Sequence, residues 1–379
     1  MRRKKICFIV AVPGTAESFL KDHIKVLAKA YDIYLVANIT DSKEFTLEGL
    51  TDIKHVPIVR NISLGQDCKA VLALTAYFRK MKFDAVHSVT PKAGLVTALA
   101  SKLAGIKHRI HVFTGQVWAT KTGIMRILLK AIDKLIAISD NHILVDGKSQ
   151  RQFLISEGIV SESKSRVLGA GSICGANTER FTPYKHIREQ QRALMNIPEN
   201  KIVYTFMGRL NHDKGIYELL SAFDKLVKTS PEAFLLIFGH DEENCLSRIQ
   251  DYANIKTGEN FLYYGPTPTP HISLQAADVF CLPSYREGFG MSVVEASCLG
   301  LPVICSDAYG LTDTMVDNET GLRCKVADVD TLVYAMQYFY NNPQERSRMG
   351  NNGRHRVLEL FTGDKIVGAW YDFYKTLFV

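Results

Sequence analysis

No two of the eight cysteines in this 379-residue chain are spaced Cys-x-x-Cys, which removes the common zinc and dithiol redox motifs. Cys7, Cys68, Cys174, Cys245, Cys281, Cys298, Cys305 and Cys324 are scattered, several inside apolar runs, and read as reduced core residues of a cytosolic protein. Apolar runs such as Ile6–Val12 and Phe234–Phe238 stop far short of the roughly 20 residues that a spanning helix needs. The basic start Met1–Lys5 followed by Ile6–Val12 imitates a secretion signal. Its apolar part ends at Pro13-Gly14 without a small-x-small cleavage site, so it is read as a first buried strand. With 46% hydrophobic and 22% charged residues, the composition excludes a disordered or low-complexity chain.

What is present is enough sequence for two ordinary domains, since single cores stop growing at about 250 to 300 residues. Short β-branched runs (Ile6–Val12, Ile33–Val36, Ala85–Val89, Arg109–Phe113) alternate with helix-period stretches (Ala16–Ala30, Cys68–Lys80, Gly94–Ala104). The rhythm resumes with Ile202–Met207, Phe234–Phe238, Phe261–Tyr264, Val279–Leu282 and Pro302–Cys305, between which lie Ile216–Val227 and Ser292–Cys298. Strands alternating with helices predict an α/β chain of two Rossmann-like, doubly wound parallel-sheet domains facing a central cleft. Periodicity lapses at 182–200, so residues 1–181 are expected to form one domain, 182–200 a linker and 201–362 the second domain. Residues 363–379, rich in aromatics, are expected to form a helix docked across the lobes. The net charge of +7 is uneven: residues 1–180 carry 27 Lys and Arg against 15 Asp and Glu, the remainder 19 against 24. A basic first half suits an anionic surface such as membrane headgroups; no base-reading motif supports nucleic acid.

Two stretches carry chemistry. In Phe206–Gly215 a strand enters a turn at Gly208 that bears Arg209, with Lys214 five residues on and a helix after Gly215. Fixed guanidinium and ammonium donors beside a helix start suit a diphosphate, whose charge they neutralise without a metal. In Ser284–Ala296, Glu287 ends a loop, the Gly288-Phe289-Gly290 turn admits a ligand close to backbone amides, and Met291 and Ser292 lead into a helix carrying Glu295. A carboxylate one turn into that helix suits paired hydroxyls, as on a ribose.

Glu287 and Glu295 with seven residues between them, Gly208-Arg209-Leu210 with Asp213-Lys214-Gly215, and the strand order together make the chain resemble the family-four retaining glycosyltransferases of the GT-B fold. The resemblance spans nearly the whole chain. It implies that Arg209 and Lys214 hold the donor diphosphate, that Glu287 contacts the donor sugar, and that Glu295 binds the ribose. It also implies contacts from the amides of Gly288, Phe289, Gly290 and Met291, with Ser292 beside them, and base packing near Gly239 and Thr267. In the first lobe it places Gly14 near the donor phosphate. A family histidine register falls on Thr114, with His111 three residues earlier, and either could meet the sugar.

Lys92, after another strand, is a candidate for an acceptor phosphate. Lys121–Lys134 combines an apolar stripe with Lys121, Arg126, Lys130 and Lys134, a pattern that fits contact with anionic lipid. Asp328-Val329-Asp330 imitates a metal-binding pair, but it precedes Thr331-Leu332-Val333 and is read as a helix N-cap, so no metal or other cofactor is expected. The expected activity is retaining transfer of a hexosyl or N-acetylhexosaminyl group from a nucleotide-diphosphate sugar, UDP foremost, to a polyprenyl-diphosphate-linked glycan in surface polysaccharide assembly. The expected location is cytoplasmic, peripheral on the inner face of the membrane. A non-hydrolysing UDP-sugar epimerase on the same two-lobe fold and a non-catalytic nucleotide-binding regulator are the rivals.

Overall fold

The computed structural model describes residues 2–39, 45–59 and 63–379. It divides into two compact units, Met1–Cys174 with Gly363–Val379, and Gly175–Thr362.

The sheet of the first unit contains β1 (Lys5–Ile9), β2 (Asp32–Ala37), β3 (Leu50–His55), β4 (Ala85–Val89), β5 (His108–Phe113), β6 (His142–Val145) and β7 (Ser165–Arg166), in the order β3-β2-β1-β4-β5-β6-β7. Every pairing is parallel. Successive side chains of a strand point to opposite faces, so a strand covered on both sides needs apolar residues at every position. β1 shows this: Ile6 and Phe8 join one core, Cys7 and Ile9 the other. β3 is the exposed edge, and its polar sequence LTDIKH carries no strand-like alternation, which is why the periodicity passed over it. The short β6 and β7 escaped notice as well.

The second unit is a six-stranded parallel sheet: β8 (Ile202–Met207), β9 (Ala233–Phe238), β10 (Phe261–Gly265), β11 (Val279–Leu282), β12 (Val303–Ser306) and β13 (Gly321–Cys324), ordered β10-β9-β8-β11-β12-β13. All its pairings are parallel too. Both units are thus doubly wound α/β layers, as the sequence predicts.

The division between units differs from the expected one at both places where the chain passes over. Residues 182–200 are no linker: Lys185–Leu194 is a helix of the second unit, its Arg188 and Arg192 each 2.6 Å from Asp278. Arg192 also donates to the carbonyl of Ala276, so its charge and donors are met inside that unit. The passage lies at Cys174–Gly175. The helix Gly363–Leu377, expected to dock across the lobes, is grouped with the first unit. There the Trp370 ring lies 4.1 Å from His23 and stacks at 4.9 Å on His87, whose Nδ1 is 2.6 Å from the Tyr374 hydroxyl.

Six of the eight cysteines are buried, while Cys68 is exposed and Cys174 half-buried; all eight are free thiols. Among the described residues no helix is long and apolar enough to cross a membrane.

Candidate active site

Ligands of open parallel sheets bind beyond the carboxyl ends of the strands, and the candidate residues of the second unit gather on that edge. β8 ends at Met207 and runs into Gly208 and Arg209; β9 ends before Gly239; β10 ends at Gly265, before Thr267; β11 ends before Ser284 and Glu287. The turns after β8 and β9 lie so close that a Cβ on Gly239 (φ +131°) would overlap the carbonyl oxygen of Gly208. Only glycine takes that backbone conformation at that approach. The Gly239 amide donates to the Gly265 carbonyl at 3.0 Å, which ties the third turn to the second. Thr267 Oγ1 pairs with Ser273 Oγ at 2.9 Å.

Two loops then meet face to face. Lys214 Nζ bonds Glu287 Oε1, which also accepts from Ser284 Oγ at 2.9 Å. One residue away in each loop, the Arg286 guanidinium donates to Asp213 Oδ2 at 2.9 and 2.6 Å, and the Tyr285 amide donates to the Asp213 carbonyl. Asp213-Lys214 thus lies crosswise against Arg286-Glu287 as two adjacent ion pairs. The Lys214 amide is received by Asn211 Oδ1, an N-cap that fixes the turn. Arg209 Nη1 lies 3.1 and 3.2 Å from the two oxygens of Glu242.

The loop after Glu287 enters the helix Met291–Cys298 through Gly290, and Phe289 is buried. Ser292 and Met291 lie in its first turn, and Glu295 one turn further on. Burial pushes the Glu295 carboxyl up to about 7, with Arg180 pulling it partly back. The sequence analysis points to Arg209, Lys214, Glu287 and Glu295 but gives no role to Asp213, Arg286, Glu242 or Arg180. Gly310 is a further omission: a Cβ there would come within 2.6 Å of the Glu287 carbonyl, so its bare backbone lets a neighbouring turn brace the glutamate loop. The crosswise Asp-Lys and Arg-Glu pattern was the signal available for Asp213 and Arg286. Nothing local marked Glu242.

In the first unit Gly14 lies in the first turn of the helix Pro13–Phe19, just past β1, with open space where a Cβ would stand. Thr114 directly follows β5 and is half-buried. His111 lies within β5, wholly buried, with its Nδ1 2.8 Å from Ser88 Oγ and its ring against Gly94. Burial lowers that imidazole to about 3. Lys92 opens the helix Pro91–Leu103 and is engaged by Asp67 at 2.6 Å.

The basic stripe is arranged otherwise than expected. On the helix Gly123–Ser139, Arg126 and Lys130 turn inward to Glu157, at 3.0 and 2.6 Å, and lie over the Trp118 ring. Lys134 is bound to the Gly158 carbonyl. Beside Lys134, the helix exposes mainly aliphatic side chains: Ile124, Met125, Ile127, Leu128, Leu135 and Ile138. In the second unit Asp328 caps the helix Val329–Asn341 by accepting the Thr331 amide at 3.0 Å, and Asp330 pairs with Lys225.

A profile of the group 1 glycosyl transferases matches residues 187–356, which include Arg209, Lys214, Glu287 and Glu295. Along its length the chain is 30% identical to the capsular polysaccharide biosynthesis glycosyltransferase CapM of Staphylococcus aureus, covering 99% of this chain and 98% of that one. It is 26% identical to the Escherichia coli UDP-Gal:alpha-D-GlcNAc-diphosphoundecaprenol alpha-1,3-galactosyltransferase, covering 99% and 97%. Among solved structures, a sucrose-phosphate synthase from Thermosynechococcus elongatus superposes with a TM-score of 0.85 at 23% identity over 99% of both chains. The Anabaena HepE protein in complex with UDP and glucose gives 0.82 at 17% identity over 99% of this chain and 100% of that one. Full-length similarity to CapM, the matching profile and the shared two-sheet fold agree: the chain belongs to the group 1 glycosyl transferases and has the GT-B fold.

Proposed function

We propose that this glycosyltransferase moves a sugar from a UDP-sugar, with retention at the anomeric carbon, to a polyprenyl-diphosphate-linked glycan in the assembly of a surface polysaccharide. The observation that carries the reading is the Lys214–Glu287 contact with Arg209 on the neighbouring turn, which puts two cations and a carboxylate on one strand edge. The cations receive the diphosphate and stabilise the charge that grows on it as the glycosidic bond breaks. Glu287 takes a hydroxyl of the sugar, and Glu295 the ribose. The departing phosphate accepts the proton of the attacking hydroxyl, so no protein base and no metal is required. The names of relatives support the acceptor class: one is named for capsular polysaccharide, another for a diphosphoundecaprenol-linked sugar.

Donor hydrolysis across a panel of UDP- and GDP-sugars, repeated with Arg209→Ala and Glu287→Ala, tests the reading. Turnover of a UDP-sugar that both substitutions remove while the fold survives is expected; turnover indifferent to both would reject it. Full activity in excess chelator is expected, and loss restored by magnesium or manganese would reject the metal-free account.

The aliphatic face of Gly123–Ser139 is, in this reading, the lipid contact of an enzyme whose acceptor is membrane-bound, with Lys121 at its border. Cosedimentation with vesicles containing phosphatidylglycerol should fall sharply for Ile127→Asp. Unchanged binding would remove this face from the account.

A further inference from the structure

We propose that Tyr285 is a positioning residue of the donor site: its hydroxyl, held by Glu218, seats the loop that carries Glu287 on a neighbouring helix and so fixes where that carboxylate meets the donor sugar. This rests on the reading that Glu287 takes a hydroxyl of the sugar.

The loop from β11 to Glu287 runs across the start of the helix Ile216–Leu226. A Cβ on Gly215 (φ +70°), the residue before that helix, would overlap the Pro283 carbonyl oxygen, so the two backbones touch where only glycine fits. Two residues after Pro283, the Tyr285 hydroxyl donates to Glu218 Oε1 at 2.6 Å. Glu218 lies in the first turn of the helix, where the positive end of the helix dipole favours a carboxylate. Its Oε2 is buried with no hydrogen-bond partner among the described residues, which leaves the tyrosine to meet the charge through Oε1. Burial, with Glu218 beside it, raises the phenol above its ordinary value, so it remains a donor at neutral pH. The His212 ring packs 4.5 Å from the Tyr285 ring.

This contact differs in kind from the others around it. The Tyr285 amide and the Arg286 guanidinium both bond Asp213, and Glu287 bonds Lys214. Those bonds join the loop to the turn 211–214 and hold the two clamp loops to one another. The Tyr285 hydroxyl reaches past that turn to the helix itself, through a charge-assisted bond. Without it Glu287 still has Lys214 as its partner, but the seat of the loop on the helix is loosened. For a group that meets the reacting sugar, a displacement of about 1 Å can cost on the order of a hundredfold in rate. The diphosphate, gripped by the long side chains of Arg209 and Lys214, tolerates such a shift. The effect therefore falls on turnover and spares nucleotide binding.

Tyr285→Phe keeps the ring and removes the hydroxyl. With the UDP-sugar that wild type hydrolyses fastest, kcat should fall about ten- to a hundredfold, while calorimetry with UDP gives a dissociation constant within about twofold of wild type. Glu218→Leu removes the acceptor and should reproduce that loss. The double variant should be no slower than either single one, because both act through one contact. Glu218→Gln keeps an oxygen for the hydroxyl and should retain most of the wild-type kcat; if Tyr285→Phe does not fold, Glu218→Gln against Glu218→Leu makes the same comparison. Wild-type kcat in Tyr285→Phe beside a large loss in Glu287→Ala overturns the positioning role alone. UDP binding weakened by the same factor as kcat, or losses that multiply in the double variant, overturn it as well. Wild-type turnover in Glu287→Ala would overturn the sugar reading first, and the role of Tyr285 with it.

Discussion

The two units treat ionisable groups in opposite ways. The second lines its strand edge with charges in partnership: Arg286 with Asp213, Lys214 with Glu287, Arg209 with Glu242. The first, beside surface pairs such as Lys92 with Asp67 and Arg126 with Glu157, buries a set of groups and strips their charge. His23 is lowered to about 4 and His111 to about 3 by burial, and His87 falls as well. Asp133 is raised to about 7, Asp140 to about 7 and Asp146 to about 8, again chiefly by burial. Partnered charges at a surface can be exchanged for those of a ligand; neutralised groups in a core cannot. The contrast separates a unit built to grip an anion from one whose stability, more than its grip, should follow pH.

The contrast breaks most visibly if the partnered charges prove dispensable. Glu287→Ala or Lys214→Ala should lower kcat by on the order of a hundredfold or more while leaving thermal stability nearly unchanged, since such donors act on developing charge. Steady-state rates read beside a melting curve check it.

In the first unit the large effect should be on stability instead. Trp370→Ala removes a 2%-exposed ring lying against His23 and His87, and should cost about 3–5 kcal/mol. Denaturant unfolding followed by tryptophan-independent probes would measure it.

Acid and base act on that unit in opposing senses. The histidines are neutral in the fold but protonate at about 6.5 when unfolded, so the unfolded state binds more protons as pH falls. Their contribution is complete above about 6.5 and declines as pH drops toward 4 and 3. The aspartates are protonated in the fold and ionise near 3.9 when unfolded, so their contribution is complete below about 4 and declines as pH rises toward 7 or 8. Asp146→Asn should therefore gain stability relative to wild type between about pH 4 and 8, then level off. Paired urea titrations at pH 5 and 8 show whether it does.

The smallest effect falls in the second unit on Glu295, a half-buried exception to its pattern. Hydroxyls donated to the carboxylate favour its ionised form, so UDP affinity should rise as pH passes through about 7. Glu295→Gln should flatten that rise relative to wild type in calorimetric titrations.

Much of this was legible in the chain. The strands buried on both faces announced themselves as continuous apolar runs, and the Arg209, Lys214, Glu287 and Glu295 set lies on one strand edge of the second unit. Legibility failed where the deciding contact is distant in sequence. Lys185–Leu194 looked like a linker because it is polar, yet its arginines find Asp278 some 90 residues on. Arg126 and Lys130 looked like a free basic face until Glu157 took them. Partner choice is a tertiary fact, and a periodicity of 3.6 does not report it.

The return of Gly363–Leu377 to the first unit makes the second an uninterrupted stretch and the first a discontinuous one. During synthesis the usual N-terminal-first order is then reversed. Gly175–Thr362 holds all of its own parts before the ribosome reaches Trp370, while the earlier segment waits with His23 and His87 uncovered. Premature termination just before Gly363 should leave a stably folded latter half joined to a protease-sensitive beginning.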